Sequence, residues 1–211
     1  MAKVTRLTRQ KRNKERVNVY LDDEFAFGVT MITAVRLRIG QELSDEEIAK
    51  LKIEDSYEVA KQTAMNFITY RPRSVSEVRK NLRGKSFDDE TIEKVLNRLI
   101  ELEMLSDEAF VRYWVDQRTT FKPRSQMALR AELLKKGVAM DAIDAVVSDV
   151  DETSAAQQAA QKQMSRWRFL DEETFRKKAM GFLQRRGFRF DIAKETTQLI
   201  WETIEAEREE E

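Results

Sequence analysis

The side chains of this sequence that are equipped for chemistry are carboxylates, lysines and arginines, because histidine and cysteine are both absent. That removes zinc sites of the usual kind, Ser-His-Asp triads, Cys-His pairs, disulfides and imidazole acid–base chemistry. The adjacent carboxylates Asp22-Asp23 and Asp88-Asp89 read as turn and helix N-cap residues, since carboxylate catalysis needs a buried pair that this pattern does not suggest. None of the six glycines sits in a G-x-x-x-x-G-K-[ST] or G-x-G-x-x-G context, so no phosphate-cradling loop is signalled. No catalytic residue, metal ligand or cofactor is expected, and the chain reads as a non-enzyme.

What remains is binding chemistry. Cations recur in three clusters: Arg71, Arg73, Arg79, Lys80 and Arg83; then Lys122, Arg124, Arg130, Lys135 and Lys136; then Arg176, Lys177, Lys178, Arg185, Arg186 and Arg189. Arginine grips phosphate or carboxylate with a planar fork, so a stripe of such residues suits DNA or an acidic protein surface. The structural alternative is a solvated flank paired with neighbouring Glu and Asp. The residues taken as candidates are Arg71, Arg73, Arg79, Arg83, Lys122, Arg124, Arg130, Lys135, Lys136, Arg185 and Arg186.

Charge is balanced overall, with 38 cations against 38 anions, yet the ends differ. Lys3, Arg6, Arg9, Lys11, Arg12, Lys14 and Arg16 oppose only Glu15 near the start, while WETIEAEREEE closes the chain with a run of Glu. A basic arm attracts nucleic acid by counterion release, whereas an acidic end reads as solvation. No run approaches the roughly 18 apolar residues of a membrane helix, and MAKVTRLTRQKRNK lacks the apolar stretch of a secretion signal. A cytoplasmic, monomeric protein without membrane contact is expected.

The elements that must position these cations are mostly helices, and they repeat. RPRSVSEVRKNLRGKSF (71–87) is followed by KPRSQMALRAELLKKGV (122–138), 51 residues on and without a gap. FLQRRGF at Phe182–Phe188 continues the series with a shift of 50 from ELLKKGV, and Ile192, Leu199 and Ile200 align with Ile92, Leu99 and Ile100 at a shift of 100. In the first copy a helix runs from about Tyr57 to Tyr70 and stops before Pro72; Ser74 and Glu77 form a capping box for a second helix that ends near Gly84; Ile92, Val95, Leu96, Leu99 and Ile100 mark a third. Phe110 and Trp114, Leu129 and Leu133 with Gly137 as C-cap, and Ile143, Val146 and Val147 mark the second copy.

Ahead of the repeats, RVNVYLDDEFAFGVT alternates in period two around an Asp-Asp-Glu turn, the signal of a β-hairpin, with Lys3 to Thr8 as a third strand and a capping box at Ser44 and Glu47. The predicted division is 1–55 (β-hairpin plus helices), 56–105, 106–152, and 153–211 with an acidic C-terminal tail. The expected fold class is mainly α: three tandem three-helix, helix-turn-helix-like repeats in an elongated curved arrangement, preceded by a small N-terminal α/β element with a β-hairpin.

On the ordered series RPRSVSEVRKNLRGKSFDDETIEKVLNRLIELEMLSDEAFVRYWV, KPRSQMALRAELLKKGV and FLQRRGFRFDIAKETTQLI, together with ERVNVYLDDEFAFGV, the chain resembles the RecX family of regulators of the bacterial recombinase RecA. The resemblance implies three tandem three-helix repeats lying in the groove of the RecA filament on single-stranded DNA. There they would inhibit ATP hydrolysis, strand exchange and the coprotease activity behind the SOS response, with direct contact to single- or double-stranded DNA as a further expectation. The alternative reading is a tandem helix-turn-helix DNA-binding protein that acts without a recombinase, in which the starts of the second helices read bases. If the basic stripe is functional, reversing Arg73 and Arg124 together should weaken filament binding, measured by co-sedimentation, and leave the melting temperature unchanged.

Overall fold

The computed structural model describes residues 1–209; Glu210 and Glu211, the end of the expected acidic tail, lie outside the described residues. Four strands and ten helices follow in the order β1 (Ala2–Arg9), β2 (Arg16–Leu21), β3 (Glu24–Thr30), α1 (Met31–Ala34), β4 (Glu42–Leu43), α2 (Asp45–Thr69), α3 (Val75–Arg83), α4 (Asp89–Glu101), α5 (Asp107–Phe121), α6 (Gln126–Lys135), α7 (Met140–Val147), α8 (Glu152–Trp167), α9 (Glu172–Arg185) and α10 (Phe190–Glu209). They form two compact units, one of Met1–Arg71 with Glu77–Leu105 and one of Pro72–Ser76 with Ser106 onward.

In the first unit the expected three strands form an antiparallel sheet of order β3-β2-β1-β4, to which the unanticipated two-residue β4 adds an edge. Asp22 and Asp23 both adopt positive φ (48° and 69°), the conformation a two-residue hairpin turn requires, so Leu21 pairs with Glu24. Val4, Val17, Val19 and Val29 are buried on the inner face with Leu37 and Leu43, against the partly buried Ile48 and Leu51 of α2. The Ser44–Glu47 capping box is present in both directions.

One expectation changes here. Instead of a helix opening at Ser44 and another near Tyr57, α2 is a single helix of 25 residues that runs through the anticipated boundary at residue 55. No glycine or proline interrupts residues 44–70, so nothing ends the helix until the Arg71-Pro72 step. Asp55 marks the seam: it is buried on α2, accepts from the Thr30 amide and pairs at 3.0 Å with Arg16, tying helix to sheet.

Ala60, Ala64, Val78, Leu82, Ile92, Val95, Leu96 and Leu99 form the buried positions of the first three-helix module. Ile100, assigned to that stripe from sequence, is exposed, because 92, 95, 96 and 99 already fill the inward face of α4 and residue 100 falls at its edge. In the second unit, Phe110, Val111, Leu129, Leu133, Val138, Ile143 and Val147 build one core. Trp167, Phe175, Leu183, Phe188, Ile200, Trp201 and Ile204, with four alanines of α8, build the next.

The three second helices end in the same way. The amides of Ser86 and Phe87 bond the carbonyls of Arg83 and Leu82; those of Gly137 and Val138 bond Leu134 and Leu133; those of Gly187 and Phe188 bond Gln184 and Leu183. This is the Schellman arrangement, and residues 86, 137 and 187 carry its positive φ of 63°, 75° and 89°. α3 ends at Arg83, beside Gly84 as the sequence suggested, and the left-handed residue of its cap is Ser86.

The same alignment corrects the third copy. Positions 82, 133 and 183 are equivalent, so the first and third modules are offset by 51 plus 50, or 101, and not by 100. The buried counterparts of Ile92, Val95, Leu96 and Leu99 are then Ala193, Thr196, Thr197 and Ile200. Two of these are threonines, so the apolar signal is weak, and Leu199, which the sequence aligned with Leu99, stands on an exposed flank.

Nor is the acidic end a tail as far as Glu209: α10 continues, burying Trp201 and Ile204, while Arg208 donates to the carbonyls of Arg168 and Leu170. Glu202, Glu205, Glu207 and Glu209 occupy its exposed side.

The cap geometry sets opposite outcomes for two substitutions. Ser86→Gly should raise stability by about 0.5–1 kcal/mol, because serine is strained at positive φ. Gly137→Ala should lower it by more than about 1 kcal/mol, since the new Cβ would be both strained and, at 2.3 Å, in collision with the Ser76 hydroxyl. Urea denaturation of the two variants checks both signs.

Candidate functional site

The candidate arginines sort by partner. Arg79 on α3 forks onto Glu93 of α4 at 2.7 and 2.9 Å, and 51 residues later Arg130 on α6 meets Asp144 of α7 at 2.7 Å. These are one interaction repeated, a clamp from the second to the third helix of a module. In the third module the equivalent positions hold Met180 and Lys194, so the clamp is not repeated there. Arg71 holds Glu77 through both terminal nitrogens, and Arg83 holds Asp89 at 2.8 Å. Glu132 gathers three donors: the Trp114 indole at 2.8 Å, Arg118 at 2.7 Å, and Arg124, whose Nε lies 2.9 Å away without hydrogen-bond alignment.

A stripe paired in this way is largely neutralised, and a surface pair of this kind contributes at most about 1 kcal/mol. Arg124 is also unsuited to charge reversal at constant stability, contrary to the expectation above. Its Nε is buried and it shares Glu132 with two other donors, so a glutamate at 124 would set two carboxylates together.

Other candidates are disposed differently. Lys122, Lys135 and Arg185 are exposed and make no ion pair among the described residues. Lys135 and Arg185 are repeat equivalents at the last turn of α6 and α9, with Lys177 and Lys178 lining a groove of about 790 Å³ beside Arg185. Lys136 stands over the Trp114 ring at 5.1 Å, and Arg73 is half-buried and engaged. Arg186 donates to the Pro123 carbonyl at 2.9 Å and lies over Phe182; burial, with the Arg124 charge nearby, lowers its guanidinium pKa.

The starts of the second helices, where a base-reading helix would need to be open, are occupied. The Val75 amide donates to Asp107, and the Gln126 amide, its equivalent, donates to Glu152; each acceptor is the first residue of the following module's first helix. The Ser74 hydroxyl bonds the Lys136 carbonyl at 2.7 Å, and the Ser125 amide bonds the Arg186 carbonyl at 3.2 Å. Both serines are fully buried. The helix-turn-helix expectation loses its reading heads in these two modules, because the P-R-S segments are engaged with the C-cap of the next second helix. Sequence reasoning missed Asp107, Glu152 and Asp55; a polar residue on the apolar stripe of α2 was the available signal for the last of these.

Tandem three-helix modules whose arginines are largely paired with carboxylates, preceded by a small antiparallel sheet, define the architecture. Residues 2–44 match the pattern described as "Regulatory protein RecX N-terminal domain", and residues 60–99, 106–147 and 150–196 match the first, second and third three-helix domains of RecX. The "Regulatory protein RecX" of Bacillus subtilis (strain 168) is 31% identical over 194 residues, which cover 90% of this chain and 74% of that protein. That of Clostridium botulinum (strain Eklund 17B / Type B) is 29% identical over 94% of this chain and 96% of its own length. A "Crystal structure of regulatory protein RecX" superposes with a TM-score of 0.71 at 25% identity, covering 94% of this chain and all of the other. The chain belongs to the RecX family of regulatory proteins.

No helix among the described residues is long and apolar enough to cross a membrane. Capping amides hold the carboxyls of Asp88 and Asp171 below the usual carboxylate range, the Ser44 amide does so for Glu47, and the Arg79 fork does so for Glu93. A folded-state value below the unfolded one contributes stability above the ordinary carboxylate pKa, and this is lost as pH falls through the lowered value. With no histidine to titrate, the melting temperature should be level between about pH 5.5 and 7 and decline below about pH 4. A pH series of thermal melts would show a midpoint near pH 6 if this were wrong.

Proposed function

We propose that this chain binds the RecA filament on single-stranded DNA and inhibits its ATPase, strand-exchange and coprotease activities, with the three modules of about 56–105, 106–152 and 153–211 as its units of contact. The observation that carries the reading is repetition with a remainder. Equivalent positions at the ends of the second helices hold exposed cations that the modules do not consume, Lys135 and Arg185, beside the free Lys122. A filament presents the same acidic surface at a fixed interval, and a repeated cation is the matching half of such a contact. Membership of a family of regulatory proteins supports the same reading. Arg130 fastens α6, the helix that carries Lys135, to α7, and Arg71, Arg79 and Arg83 make the corresponding pairs of the first module; Arg73, Arg124, Lys136 and Arg186 are engaged within the fold.

The single-strand-dependent ATPase of RecA, titrated with this protein, tests the proposal. Inhibition should be evident well below one protein per RecA and should weaken as salt rises. Lys122→Glu with Lys135→Glu and Arg185→Glu should shift the inhibition curve to at least tenfold higher protein while leaving the melting temperature within a degree or so of the parent, since exposed unpaired cations contribute little to folding. Full ATPase activity at an equimolar ratio would refute the regulatory reading; tight duplex binding in that case would favour the tandem DNA-binding alternative.

A further inference from the structure

The N-terminal sheet presents a second charged surface whose chemistry differs from that of the helices. Leu7, Val19 and Phe27 line up across β1, β2 and β3 toward the core, so the intervening pairs face outward. On that face Arg6 is opposite Tyr20, Tyr20 opposite Phe25, Thr8 opposite Asn18, and Asn18 opposite Gly28. The Arg6 guanidinium sits 3.9 Å over the Tyr20 ring, and Phe25 meets that ring edge-on at 6.0 Å. Phe25 is 59% exposed, an aromatic on the solvent side of a sheet that has a separate apolar core.

Beside the rings, Gln10 and Asn18 join their amides at 2.8 Å. A Cβ at Gly28 would lie 2.9 Å from the Gln10 amide nitrogen, so glycine keeps this polar floor uncovered. A shallow groove of about 530 Å³ continues from there along Arg9, Lys11 and Arg12. Arg6, Arg9, Lys11 and Arg12 make no ion pair among the described residues, whereas Arg16 is taken by Asp55.

We propose that this outward face binds single-stranded nucleic acid, with bases stacked on Phe25 and Tyr20, base edges against the Gln10 and Asn18 amides, and phosphates along Lys11 and Arg12. Cations alone would suit an acidic protein equally well. The aromatic rings and amides on the same face are what unstacked bases require, since every base has a π-face and hydrogen-bonding edges. A duplex keeps its bases stacked inside and would leave both rings without a role. The proposal does not depend on the recombinase reading and is tested without a recombinase.

The experiment is fluorescence anisotropy of a labelled oligothymidylate of about 20 nucleotides with the full chain, across a salt series. Phe25→Ala, alone and with Tyr20→Ala, should weaken binding about tenfold or more and leave the salt slope unchanged. Lys11→Ala with Arg12→Ala should reduce the slope by about 1.4, at about 0.7 per phosphate contact. Lys85→Ala with Lys194→Ala, exposed cations of the helical modules, should have no effect. Because Tyr20 is half-buried and its loss risks the fold, ultraviolet cross-linking of an iododeoxyuridine oligonucleotide to the unmodified chain gives a second readout, with adducts expected on the Tyr20 or Phe25 peptide. Parental affinity in Phe25→Ala, adducts confined to the helical modules, or a duplex bound as tightly as the single strand would each overturn the assignment.

Discussion

A buried helix end has amides and carbonyls that must find partners, and in this chain the partners at two of the second helices come from the next repeat. The first amide of α3 is capped by Asp107 and that of α6 by Glu152. The C-cap carbonyls of Lys136 and Arg186 are taken by Ser74 and Ser125. Glycine at 137 and 187 supplies both the left-handed turn and the close approach that these contacts need. The two P-R-S segments stand where the start of a second helix meets the following module. The third module caps α9 from its own Asp171, and no P-R-S precedes it.

The charges follow from that arrangement. Small three-helix modules have little apolar area to bury, and salt-bridge clamps such as Arg79–Glu93 and Arg130–Asp144 fasten the second helix to the third around cores of about seven side chains. Once those clamps and the Glu132 cluster are drawn, a run of cations that reads as a continuous binding stripe becomes two populations. One is paired with carboxylates; the other, Lys122, Lys135 and Arg185, with Lys177 and Lys178, is exposed without an ion pair among the described residues.

The first unit solves a different problem. Its sheet has one face on α2, locked there by Asp55 between Thr30 and Arg16, and the other face open. The opposed turn residues Asp22 and Asp23 and the irregular register near Val19 and Tyr20 set which side chains reach that open face. Aromatic rings and unpaired cations coexist there, whereas on the helices the exposed arginines are mostly matched by carboxylates.

By itself the sequence determined the class, most of the elements and the repeat. Period-two alternation placed the hairpin, a capping box placed Ser44 at a helix start, and the 51-residue identity of Pro72-Arg73-Ser74 with Pro123-Arg124-Ser125 revealed the modules, because those patterns depend on residues near one another in the chain. It also showed that imidazole and thiolate chemistry are unavailable. Only the tertiary structure decided that α2 is unbroken, that Ser86 takes the left-handed position of the first cap, that Ala193, Thr196 and Thr197 replace the expected apolar positions of α10, and which arginines are paired. Each of these depends on a partner distant in sequence. A cation looks the same in a sequence whether a carboxylate fourteen residues on neutralises it, as Glu93 does Arg79, or nothing does.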